Sequence, residues 1–238
     1  MQLARAARGF SLVELAVVLV IIGFLMVSGI LAFNAQVEQR NYEETTRRLN
    51  LAAEHVIAFA IANRRLPCPA APGTTGVESP AGGTCNNPFN GFLPAETIGF
   101  PYYDSERYAL DAYGNRIRYA VSSTVVGSGC IDPHFTSAAN LKANGMGCRP
   151  NDLDVCTSAA PCTARVVSQQ TAVFVVLSTG KNGALTGSYV PDENENVNNT
   201  ATFVSRTPGG GSDTFDDIAV VVPVGMLYAR LTAAGVLP

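Results

Sequence analysis

Arg8-Gly9-Phe10-Ser11-Leu12-Val13-Glu14-Leu15 is the stretch on which the reading of this chain turns. Behind it, no residue from Leu15 to Val37 is charged. Leu15–Phe33 alone is nineteen residues. As a helix it would run about 28 Å, against a bilayer hydrocarbon core of about 30 Å. Arg5 and Arg8 precede the run with no acid among residues 1–9. That positive flank places residues 1–9 in the cytoplasm and the body of the chain outside.

A cleavable secretory signal is one rival reading. Its apolar region should be about 7–15 residues, with small residues at −3 and −1 of the cut. Here the run is longer, and behind Ala32 and Ala35 the −3 positions hold Ile30 and Phe33. A plain uncleaved anchor is the other rival, and it leaves Glu14 unexplained. A lone carboxylate at membrane depth costs about 3 kcal/mol or more and needs a partner. The near neighbours on its helix face are Ser11 and Val18, so no counter-charge is expected within the chain. A charge without an intrachain partner points to an intermolecular one.

The eight residues from Arg8 to Leu15 resemble the signature of type IV pilins and type II secretion pseudopilins. The resemblance implies that a membrane prepilin peptidase cuts after Gly9 and methylates the new terminus at Phe10. Glu14 is then the fifth residue of the mature chain, where it meets the free amine of a neighbouring subunit during assembly. One departure is that many members carry a proline where this chain has Leu31, with Ser28-Gly29 nearby.

Beyond Phe33 the pattern becomes amphipathic. Leu49, Ala52, Ala53, Val56, Ile57 and Ala60 recur at helical steps, with charged residues on the other face. Glu43–Arg47 and Glu44–Arg48 are expected as i,i+4 pairs. Leu66-Pro67-Cys68-Pro69 ends the helix, because proline cannot continue it. Residues 69–101 and 123–165 read as loops. Asp111-Ala112-Tyr113-Gly114-Asn115 reads as a turn. Arg116–Ser122, with Ile117, Tyr119 and Val121 on one face, reads as a strand. Ala172–Leu177 and Ile218–Val222 read as further strands, and Pro223–Leu237 as a final helix. The expected fold class is therefore α+β. A long N-terminal helix, transmembrane in its first half, packs on a small antiparallel sheet with long disulfide-bearing loops. The expected divisions are a leader at 1–9, a transmembrane and polymerisation helix at 10–33, and a soluble domain at 34–238. The Tyr-Gly-Asn turn and the Asp-Asp-Ile opening of the last strand also resemble the major pseudopilin subgroup.

Composition narrows the functions. The 238 residues are 47% hydrophobic and 15% charged, with a formal net charge of −3, or about −5 without residues 1–9. That balance excludes non-specific nucleic-acid binding, which runs on clustered Lys and Arg. Cys68, Cys85, Cys130, Cys148, Cys156 and Cys162 include no C-x-x-C pair and lie beside neither His. Metal-ligand spacing is absent, and disulfides formed in an oxidising compartment are the expectation. Short loops favour Cys68–Cys85, with the other four pairing among themselves.

Catalytic signatures are missing. Ser178-Thr179-Gly180-Lys181-Asn182-Gly183 has Val175 where a phosphate loop needs its first glycine. There is no G-x-S-x-G and no H-E-x-x-H, and His134 reads as a surface residue, so the chain is read as no enzyme. Between Asn182 and Asp217 the one basic residue is Arg206, against Asp192, Glu193, Glu195, Asp213, Asp216 and Asp217. Carboxylates in Gly/Asn-rich loops suit a hard cation such as Ca²⁺. Similar pseudopilins bind Ca²⁺ between a Gly-rich turn and the acids before the last strand. Carried over, the resemblance names Ser178, Gly180, Asn182, Asp213, Asp216 and Asp217 as the calcium set. The implied partners are prepilin peptidase, other copies of the chain, related subunits and an inner-membrane assembly platform. The competing readings are a minor tip pilin or adhesin and a monomeric, membrane-tethered periplasmic binding domain.

Overall fold

The computed structural model describes residues 11–159, 161–183, 190–209 and 214–237, with the side chains of 25–34 outside that description. The elements are α1 (Leu12–Asn63), β1 (Gly91–Phe92), α2 (Ala95–Ile98), β2 (Arg118–Val121), β3 (Val125–Val126), α3 (Ala138–Asn144), β4 (Arg149–Pro150), β5 (Asp154–Cys156), β6 (Ala172–Ser178), α4 (Pro191–Glu195), β7 (Thr202–Val204), β8 (Ile218–Pro223) and α5 (Val224–Ala233). The chain divides into two units, Met1–Tyr42 and Glu43–Pro238, with α1 contributing to both.

In the second unit a four-stranded antiparallel sheet runs in the order β1-β2-β6-β8. Strand β6 is central because Ala172–Ser178 is apolar on both faces, and all seven of its residues are buried. Tyr119, Val121, Phe174, Val176, Ile218 and Val222 pack with Leu49, Ala52, Val56 and Ala60 of α1 and Leu227 and Leu231 of α5. Each large aliphatic side chain buried there contributes about 1.5–3 kcal/mol. The opposite face of the sheet is covered too. Ala120 and Val175 meet Leu153, Val155 and Phe203, brought there by the parallel pair β5–β7. This second layer carries the loops that build the acidic site.

The α+β architecture agrees with the sequence reading, and the three main strands and the last helix lie where the pattern puts them. Cys68–Cys85 forms as expected, and the other four cysteines pair as Cys130–Cys148 and Cys156–Cys162. Their Cα separations of 5.4, 5.9 and 5.5 Å fit a cystine. In the Asp111–Asn115 turn, Gly114 takes φ +87°, and Asp111 Oδ1 accepts from the backbone N–H of Tyr113 and Asn115.

Several expectations are corrected. Residues 69–101 are not wholly loop, since β1 joins the main sheet and α2 follows it. Residues 123–165 contain α3, capped by the Ser137 side chain, and three short strands. Both stretches hide elements too short to show a period. Glu44 pairs with Arg48 as expected and accepts from Arg47 as well. His134 is buried, not superficial. The Tyr228 hydroxyl donates to Cys148 O at 2.6 Å, so it accepts the proton of His134 Nε2 at 2.9 Å. Nδ1 then accepts from the Asn144 amide at 3.0 Å. The imidazole is neutral, and burial holds its pKa down at about 4.

In the first unit every described side chain from Leu12 to Phe24 is exposed, Leu12 at 89% and Phe24 at 74%. Among the described residues no helix is long and apolar enough to cross a membrane. The apolar run singled out in the sequence continues into residues 25–34, whose side chains are outside the description.

Candidate functional site

Carboxylate oxygens of Glu193, Asp216 and Asp217 lie within 4.8 Å of one another. Three elements bring them together. The turn after β6 supplies Asn182, the short helix α4 supplies Glu193, and the approach to β8 supplies Asp216 and Asp217. Glu193 is fully buried because it caps its own helix. Its Oε2 accepts from Val190 N–H at 3.3 Å, and its Oε1 accepts from the Asn182 amide at 2.9 Å and from Asp216 N–H at 3.2 Å. Asp216 Oδ2 accepts from the backbone N–H of Lys181 and Asn182. Asp217 Oδ2 accepts from Asn196 Nδ2 at 2.7 Å.

The other oxygens have no such donors. Asn182 Oδ1, Asp216 Oδ1 and Asp217 Oδ1 are buried and find no hydrogen-bond partner among the described residues. Buried acceptors of this kind cost about 1–3 kcal/mol each when left unmet. Burial pushes Asp217 up to about 7, and the charges of Glu193 and Asp216 add to the rise against the Asn196 hydrogen bond. Burial likewise pushes Asp216 up to about 6, helped by Glu193. Three acids and an amide oxygen, with no nitrogen or sulfur ligand, form a donor set for a hard cation rather than for zinc or copper. Oxygens on opposite sides of one Ca²⁺ stand about 4.6–5.2 Å apart, so the cluster fits around a single ion.

Gly180 clears the space. It has φ +61°, and a Cβ there would stand 2.1 Å from Asp216 Oδ1, one of the unmet oxygens. Its carbonyl accepts from the Asn115 amide, so Gly180 shapes the site rather than ligating. Ser178 does not face the cluster. Its hydroxyl donates to Asp111 Oδ2 at 2.5 Å and accepts from Gly180 N–H. Asp213 lies outside the described residues. Of the six residues named from the sequence, the structure thus brings together Asn182, Asp216 and Asp217 as oxygen donors. It adds Glu193, which reads from sequence as one acid in the solvated run Pro191-Asp192-Glu193-Asn194-Glu195.

At the other end of the chain, Gly9 and Phe10 lie outside the described residues. Glu14 is not wholly without a partner on its own chain, as its place in the sequence suggested. Its carboxylate accepts from Ser11 N–H at 3.4 Å, and Ser11 Oγ accepts from Glu14 N–H at 3.2 Å. This reciprocal cap satisfies helix-end donors. The cap supplies no positive charge, and among the described residues the carboxylate stands beside Leu12, Val13 and Leu15, all exposed.

Residues 4–30 match the family model described as the prokaryotic N-terminal methylation motif. No curated protein and no solved structure matches the chain.

Proposed function

We propose that this chain, whose methylation motif supports membership of the type IV pilin and pseudopilin family, is a structural subunit that polymerises through α1 once residues 1–9 are removed. The motif makes it a pilin-like precursor processed by prepilin peptidase, and points to a structural role rather than to an enzyme. The observation that carries the assembly reading is the exposed apolar surface from Leu12 to Phe24 with one anion, Glu14, set in it. Such a surface calls for burial against lipid or other copies. The anion calls for a cation, which the freed amine of Phe10 on a neighbouring subunit provides. Before assembly the helix spans the inner membrane with the body in the periplasm, as the uncharged run from Leu15 to Val37 supports.

The body carries Ca²⁺ on Asn182, Glu193, Asp216 and Asp217, where the ion answers the crowded negative charge of three carboxylates and meets the oxygens left without donors. A cation site between the turn after β6 and the acids before the last strand supports a secretion pseudopilus over a surface pilus. Mass spectrometry of the membrane-extracted protein should find N-methylated Phe10 as the terminus. An intact Met1 terminus in cells with working prepilin peptidase would sink the processing scheme. Deleting the chain should halt release of exported proteins while surface pili persist. Lost pili with normal secretion would assign it to a pilus instead.

A further inference from the structure

Asp192, beside the acidic site, ties together the segments around it. Asp192 occupies the first turn of α4, directly before Glu193. Its Oδ1 accepts from Ala159 N–H at 2.8 Å, and Ala159 lies in the short loop closed by Cys156–Cys162. Its Oδ2 accepts from Arg206 Nε at 2.7 Å. The Arg206 guanidinium lies 4.2 Å from the centre of the Phe215 ring, and Phe215 is buried directly before Asp216. With both oxygens engaged, Asp192 is a hub between the disulfide loop, α4 and, through Arg206 against Phe215, the segment before β8 that carries Asp216 and Asp217.

A second route starts at the same disulfide. Cys156 pairs with Val204 across the parallel β5–β7 ladder. Val204 exchanges two hydrogen bonds with the buried side chain of Asn196, at 2.7 and 3.0 Å. Asn196 in turn holds Asp217 Oδ2, which leaves Oδ1 as the unmet oxygen. The Cys156–Cys162 loop thus fixes Glu193 through Asp192 and Asp217 through Asn196. The other two disulfides close loops at Cys68–Cys85 and Cys130–Cys148, and neither enters this chain of contacts.

We infer that Asp192, docked on the loop that Cys156–Cys162 closes, is the positioning residue of the cation site, so that cation affinity depends on this one disulfide. The inference rests on the calcium reading above. Partners that orient metal ligands change affinity by about 10–100-fold when removed.

The test is calcium titration of the full chain in detergent, by calorimetry and by melting temperature, for wild type, Asp192→Asn, Cys156→Ser/Cys162→Ser and Cys130→Ser/Cys148→Ser. The first two variants should bind Ca²⁺ about tenfold more weakly. Their melting increment should shrink at modest Ca²⁺ and return at saturating Ca²⁺, which a merely destabilised fold would not produce. The Cys130→Ser/Cys148→Ser chain should melt lower yet keep the wild-type Kd. Wild-type affinity in both Asp192→Asn and Cys156→Ser/Cys162→Ser overturns the inference, as does equal weakening in the Cys130→Ser/Cys148→Ser control. A wild-type chain with no calcium response removes the cation reading itself, a failure visible before any variant is compared.

Discussion

Glu14 and Asp217 are both carboxylates in settings that disfavour a lone charge, and they differ in where relief can come from. Glu14 sits on an exposed helix with a neutral backbone donor from Ser11. Among the described residues no second carboxylate stands near it to hold an ion, and its exposed face is open to a neighbouring subunit. Asp217 is 3% exposed, enclosed with Glu193 and Asp216, and beyond the reach of another protein chain. A small cation can fill that enclosure. The contrast teaches that an unbalanced charge is assigned its partner by geometry. Open apolar surroundings call for a protein, and a closed ring of oxygens calls for an ion.

Removing each charge should therefore have different consequences. The largest effect is expected from Glu14→Val as the sole copy. Processing and the fold of the second unit should survive, while filaments vanish from sheared preparations viewed by electron microscopy. Normal filament yield would collapse the contrast.

Next in size is calcium removal. A ligand bound only by the folded state stabilises it by about 2.7 kcal/mol at a hundredfold excess over Kd. For a domain of this size that corresponds to about 5–10 °C in melting temperature. Chelator should lower the melting of wild type by that order. Asp217→Asn should erase the difference and also raise the cation-free melting point, since it removes one of three crowded charges. Equal melting of wild type with and without chelator would reduce the cluster to a buried acidic network.

The pH response of His134 should be smaller. Its folded pKa of about 4 lies below the ordinary histidine value of about 6.5. The unfolded chain therefore binds the proton first, so stability falls as pH drops from about 6.5 to about 4. The loss is at most about 3 kcal/mol. The difference between wild type and His134→Gln in denaturant unfolding should shrink over that window, and a constant difference would show that the imidazole does not titrate there. The smallest signal is a count: unreduced protein should give no reactive thiols, because all six cysteines are paired, and several reactive thiols would contradict the pairing.

How much was legible in the sequence depends on what each signal needs. The second half of α1 was readable because Leu49 to Ala60 repeats at a helical period, and β6 because its apolar run is unbroken. Cys68–Cys85 was readable because its loop is short. Two-residue strands such as β1 have no period to read. Three of the four residues of the acidic site were visible, Asn182 in the turn after β6 and Asp216 and Asp217 before the last strand. Glu193 was not, because helix α4 is a single turn and its burial comes from the capping bond to Val190 and the approach of β8. His134 was misread for a related reason. Its burial depends on Tyr228, which lies 94 positions along the chain. Contacts between distant segments leave no mark in the local pattern of either.

The central claim is that Glu14 meets the amine of Phe10 on another subunit. The most direct measurement is zero-length carbodiimide cross-linking of filaments assembled from a mixture of isotopically light and heavy chains. The account predicts a Glu14–Phe10 linked peptide that joins light to heavy chains. A four-residue step along a helix is about 6 Å of rise, so if the helical geometry extends to the terminus an intrachain product should be minor. Links confined to chains of one label, or intact filaments with no link at Glu14, would contradict it.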